Sequence, residues 1–205
     1  MMYKPNMMLR VVGAAVVALL CASTAFAQQP GRIRGQIESM DGSNFTLKTR
    51  DGATLKMKID DKTRVAALVK TTIGDIKPDA YIGVAGMARP DGSIDAFSIH
   101  VLPAAIRGQG EGGRPWDARP GSTMINTYFQ SSVAAANGRI LTVKNKDGEK
   151  KVIVSETTAV AMAAPAERSE LKPGAQIIVF GSEKQPDDSI LIKSMYVGRG
   201  LTPGM

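Results

Sequence analysis

Few residues of this chain are of a type and spacing that could do chemistry. Its single histidine, His100, sits in a segment where Phe97, Ile99 and Val101 alternate. That alternation places the three on one inward face and turns the imidazole the other way, exposed or at an interface. One histidine without cysteine partners cannot build a zinc site of three or four ligands. Asp91-Gly92-Ser93-Ile94-Asp95 spaces oxygen atoms as a calcium loop does, but no bidentate acid closes it. A turn stabilised by Asp91 accounts for the same residues. Asp91 and Asp95 are therefore weak metal candidates, and no metal site or cofactor is expected. The sequence carries no nucleophile-elbow serine, Walker loop or HExxH pair, so no catalytic set is expected either. Gly108, Gly110, Gly112 and Gly113 do not lie between a strand and a helix, which removes phosphate cradling.

Two groups remain as binding candidates. The first is Arg107–Gly121, where Glu111, Arg114, Trp116, Asp117 and Arg119 crowd together and which holds the only tryptophan. It reads as a functional loop on a rigid scaffold or as a clamp. In the clamp, Trp116 fills the gap between two domains and Arg114 pairs with a nearby carboxylate. The second is basic: Lys48, Lys56 and Lys58 fall on one outer strand surface, with Lys144, Lys146 and Lys151 as a counterpart. Stacking of nucleic-acid bases needs exposed aromatics. Phe45 points inward, so these lysines read as solvated faces and no nucleic-acid partner is expected.

The elements that must position these residues are short strands. Composition is 43% hydrophobic and 22% charged with only 5% aromatics, and 21 glycines and 11 prolines punctuate it. Asn44–Thr49 and Thr54–Ile59 alternate around Asp51-Gly52, a hairpin turn. Further strands are expected at Ile33–Met40, Thr63–Ala67, Tyr81–Ala88 and Ile94–Leu102, with a helical turn at Thr71–Ile76. The pattern then returns. Asp75–Val84 (DIKPDAYIGV) is echoed by Glu170–Val179 (ELKPGAQIIV), and Gly42–Gly52 by Gly138–Gly148. Thr63 and Val65 match Thr158 and Val160, while Ile82 and Val84 match Ile177 and Val179. Three strands, a helical turn and two strands is the order of an OB-type barrel. The expectation is all-β: two tandem small OB-like barrels, 33–104 and 123–199, each with a short helical turn between third and fourth strands. A Gly/Pro-rich join covers 105–122, and the tail 200–205 is expected to be loose.

The N-terminus reads as an export signal over residues 1–27. Lys4 and Arg10 precede the apolar run Val11–Leu20, and Ala25-Phe26-Ala27 supplies the cleavage site. Cys21 would leave with it, giving a cysteine-free mature chain from Gln28 with a short flexible lead to Arg32. The formal charge of +7 falls to +5 without Lys4 and Arg10. No transmembrane span is expected in the mature chain, because a span needs about 20 apolar residues.

The tandem Asp-Gly turns, Asp75-Ile76-Lys77-Pro78, the join RGQGEGGRPWD…PGSTM and the second Leu-Lys-Pro-Gly resemble the DUF5666 group of exported proteobacterial proteins. The likeness covers nearly the whole mature chain, and its most specific part is the join. It implies OB-type barrels with no established activity. Some relatives bear names linking them to metal-transport permeases, whose spans this chain lacks. Relatives often carry histidine where this chain has Gly113. The expected function is a periplasmic or secreted, non-catalytic binding or interaction module whose partner is an envelope protein or an anionic ligand. The alternative is a metal- or small-ligand-binding accessory of envelope transport.

Overall fold

The computed structural model describes residues 32–204. The export signal, Cys21 and most of the lead to Arg32 lie outside them. The strands are β1 (Ile33–Asp41), β2 (Asn44–Thr49), β3 (Thr54–Lys58), β4 (Arg64–Lys70), β5 (Tyr81–Ala88), β6 (Ile94–Val101), β7 (Gly112–Pro115), β8 (Thr123–Ala135), β9 (Gly138–Asn145), β10 (Gly148–Pro165), β11 (Gln176–Lys184) and β12 (Ile190–Arg199). The protein is all-β, and the strand positions follow the alternation and the Asp-Gly turns closely.

The pairing departs from a simple tandem. β1, β2 and β3 form an antiparallel meander. The ring containing them closes through β12, parallel to β3, and through β11, antiparallel to β1. The second ring takes β8, β9 and β10 and closes through β6, parallel to β10, and β5, antiparallel to β8. Each five-stranded ring thus takes three strands from one half and two from the other. The expected barrels 33–104 and 123–199 are corrected accordingly: the halves are real repeats, but neither closes on itself. The cores say the same. Ile82, Val84 and Ile99 pack with Leu141, Val143 and Val152, while Ile37, Leu47 and Met57 pack with Ile177, Ile192 and Met195.

The crossing strand is the physical cause. The strand expected at Thr63–Ala67 runs on as β4, with Leu68, Val69 and Lys70 continuing it. Seven residues advance about 23 Å, which carries the chain off the first ring before it turns. β10 does the same for the second half, and its end pairs antiparallel with β4 from Ala161↔Lys70 to Pro165↔Ala66. Matched threonines bridge the irregularity in each crossing. The Thr63 hydroxyl donates to the Ile192 carbonyl at 2.7 Å, and Thr158 to that of Ala96 at 2.8 Å.

After each crossing a short 3-10 turn caps the receiving ring, at Ile73–Asp75 and Arg168–Glu170. The repeated acid–apolar–Lys-Pro signature builds it. Asp75 accepts the Thr72 backbone N–H at 3.1 Å, and Glu170 that of Glu167 at 3.0 Å. The following apolar residue, Ile76 or Leu171, drops into the core. Asp79 (φ 64°) and Gly174 (φ 90°) then turn the chain into the next strand. A two-pronged hydrogen bond from Arg199 holds the Glu170 carboxyl down at about 2.

Two local expectations change. Phe97 does not share the inward face of Ile99, because a bulge in β6 (Ala85↔Ser98, then Gly86↔Ala96) puts Phe97 on the outer side. The tail is packed, with Pro203 and Gly204 buried. Gly204 has φ 72° and lies so near the Ile178 and Arg34 side chains that an added Cβ would come within 2.5 Å and 2.8 Å of them.

Candidate functional site: the cleft between the rings

The outer faces of the two rings form opposite walls of a cleft of about 470 Å³. Cross-strand partners build each wall. On the first ring and the adjoining β4, the row Arg34, Ile178, Tyr196, Ala66 runs from β1 to β4. On the second, Asn126, Gly83 and His100 run from β8 to β6. Gly83 keeps this wall low: a Cβ there would meet Asn126 Oδ1 at 3.3 Å and Met124 Sδ at 3.4 Å.

The join straps one end. Its first part is anchored on the second ring: Arg107 pairs with Asp79 at 2.5 Å, and the Tyr81 hydroxyl and Asn126 amide donate to the Gln109 carbonyl at 2.8 and 3.1 Å. Its second part forms β7 against β8 and delivers Trp116, which is 7% exposed and packs on Ala85, Met124 and Phe97. The Arg32 guanidinium lies 3.9 Å above the indole and that of Arg34 5.5 Å away, as a cation prefers over an aromatic face.

Asp117 supplies the anion of this stack. It pairs with Arg34 at 2.8 Å and Arg32 at 3.8 Å, and accepts the Arg32 backbone N–H. Partial burial raises its carboxyl pKa, but the Arg34 hydrogen bond and the two positive charges outweigh that and leave it below the usual range. Burial lowers Arg32, Asp117 opposes this, and the neighbouring Arg114 and Arg34 charges lower it further. Burial also lowers Arg114. Arg32 Nε and Trp116 Nε1 are buried with no protein acceptor among the described residues.

The clamp expectation is thus corrected in its partner. Arg114 donates to the Gly110 carbonyl at 2.9 Å and to Asn126 Oδ1 at 3.2 Å, and the carboxylate in the clamp is Asp117. Arg119 stacks on Phe97 at 4.1 Å. Glu111 instead secures the β9–β10 turn by accepting the Lys146 backbone N–H at 2.6 Å. Sequence reasoning missed Arg32, Arg34 and Arg64. Two arginines spaced i, i+2 at the start of β1 share a face, and that was the available signal.

The other candidates lie apart from the cleft lining. Lys48, Lys56 and Lys58 are exposed on the outer face of β2 and β3, where Thr46 faces Lys56 and Asn44 faces Lys58. Lys48 lies 3.9 Å from Glu38. Lys144, Lys146 and Lys151 are also exposed. Asp91 accepts from the Ser93 backbone and hydroxyl at 3.0 and 2.6 Å, and Asp187 does the same with Ser189. Asp95 pairs with Arg89 at 3.4 Å. Among the described residues no group of three or more acids and histidines is gathered for a metal. At Gly113 an added Cβ would meet nothing within 4 Å.

His100 lines the cleft, and Ser98 Oγ lies 3.0 Å from its Nε2. The pair resembles a nucleophile and base, but three facts stand against that role. Ser98 is 2% exposed, no carboxylate bonds the imidazole among the described residues, and burial pushes the imidazole down to about 4. A base protonating that low has little driving force near neutrality. Titration of the single histidine resonance by NMR is expected to show a midpoint near 4 in the folded protein. The unfolded chain takes up this proton first, near the ordinary 6.5. The stability contributed by the neutral imidazole is therefore whole above 6.5 and lost as pH falls through 4. A midpoint at 6.5 in the folded protein would show that the ring is freely hydrated.

A scan against protein-family models and searches of the curated proteins and of the solved structures find no match to this chain. The DUF5666 likeness rests on the sequence motifs alone.

Proposed function

We propose that the protein is an exported, non-catalytic binding module whose ligand sits between the rings. The observation that carries this reading is the cleft itself. At about 470 Å³ it falls within the roughly 300–1,000 Å³ of small-molecule sites, and its apolar walls hold a few convergent polar groups. Two strapped rings give such a site rigid sides. The buried Ser98 and the weakly basic His100 support binding over turnover. The N-terminal signal pattern supports export to the periplasm or beyond.

The test is a screen of neutral and charged small molecules against the mature chain, read by thermal unfolding and by emission of the single tryptophan. A cleft ligand is expected to raise the unfolding temperature and shift Trp116 emission together. A screen with no such compound would overturn the cleft as the site. Turnover of an ester or phosphoester that is lost in His100→Ala would overturn the non-catalytic reading.

A further inference from the structure

The charge at one end of the cleft is unbalanced. The charges of Arg34 and Arg114 both act on Arg32 there, and Asp117 is the carboxylate paired with Arg32 and Arg34. Three guanidiniums against one carboxylate leave an excess of two positive charges. Arg64, on β4, is a further cation in the lining, which contains no Asp or Glu among the described residues. Like charges gathered in a partly buried site repel, and an added anion relieves that repulsion. Arg34 is already committed to Asp117 and the Gly204 carbonyl. Arg114 has only neutral acceptors, and Arg32 Nε has none among the described residues.

The rest of the cleft has the opposite character. Leu102, Ile106 and Ile178 line it, and Phe180, 42% exposed, meets Tyr196 edge-on at 5.1 Å. An exposed Phe180 beside a half-buried Tyr196 on a concave apolar wall suits an apolar body, whereas inorganic anions would leave that surface wet.

We infer that the occupant is an amphipathic anion, with a carboxylate or phosphate-ester head on Arg32 and Arg114 beside Trp116 and an apolar body running towards Phe180 and Tyr196. This rests on the reading of the cleft as the binding site. Guanidinium forks match both head groups, and the ligand test separates them.

Calorimetric titration of the mature chain would use decanoate, decyl phosphate, decanol and acetate, each below its aggregation limit. Decanoate, decyl phosphate or both are expected to bind, and the one that binds identifies the head. Decanol is expected to bind about tenfold or more weaker, since a charged hydrogen bond is lost, and acetate weaker still, since the body is lost. Arg32→Gln and Arg114→Gln should each weaken binding about tenfold, with folding checked by thermal unfolding. Lys56→Gln, exposed on the outer face of β3 and apart from the cleft lining, should change it less than about twofold. Decanol binding as tightly as decanoate would overturn the anionic head and leave the cleft as a binding site. Equal loss on Lys56→Gln would overturn the head's placement. No binding by any of the four would overturn the amphipathic anion, and the broader neutral and charged screen then decides whether the cleft reading falls with it.

Discussion

Trp116→Ala is expected to unfold about 6–20 °C below the unsubstituted protein. Removing a buried tryptophan costs about 3–5 kcal/mol, and a domain of this size loses roughly 2–4 °C per kcal/mol. The site has little means of collapsing to recover that loss. Ala85 and Met124 beneath the ring sit on β5 and β8 of the second closed ring, so the backbone cannot close over the hole. Above it, Arg32 loses the aromatic face it covers at 3.9 Å and becomes a partly buried cation with fewer partners. Trp116→Phe should recover about half of the loss, because it keeps an aromatic face for the guanidinium. Thermal melts of the three proteins check this. Unchanged unfolding of Trp116→Ala would mean that the indole serves a ligand rather than the join between the rings.

The legible part of this fold is the part written in local periodicity. Asn44–Thr49 and Tyr81–Ala88 have the boundaries their alternation and flanking turns dictate, because a two-residue period and an Asp-Gly turn are properties of neighbouring residues. The duplication was legible for the same reason. Which ring receives β5–β6 was not: Ile82, Val84 and Ile99 present the same inward face to either set of three strands. The choice depends on Val65–Val69 running straight across, a distinction of a few residues in one strand. Phe97 misled because a bulge reverses facing without changing the residue types around it. The site was half visible. Trp116 and Asp117 stand out by composition, but Arg32 reads as the end of a flexible lead and Arg34 as part of the first strand. Only the folded chain brings them 83–85 positions along to Asp117.

The strand exchange has its largest consequence in cooperativity. Leu47 and Leu141 are both fully buried, one in each ring's core. Leu47→Ala and Leu141→Ala are each expected to cost about 2–5 kcal/mol. Two barrels each closed within its own half would respond separately: one would melt early and the other stay put, giving two transitions. Here loss of the first ring frees β11 and β12 and unseats β4, whose partners are β12 and β10. β4 leads directly into the turn that caps the second ring, so β5 and β6 lose their anchor. Each substitution should therefore lower a single calorimetric transition, and amide protection should fall together in β2 and β9. The double substitution should lower it by nearly the sum, since the residues lie in separate cores. Retained protection of β8–β10 in Leu47→Ala, with β1–β3 already exchanging, would show that the rings fold independently and that the exchange does not couple them.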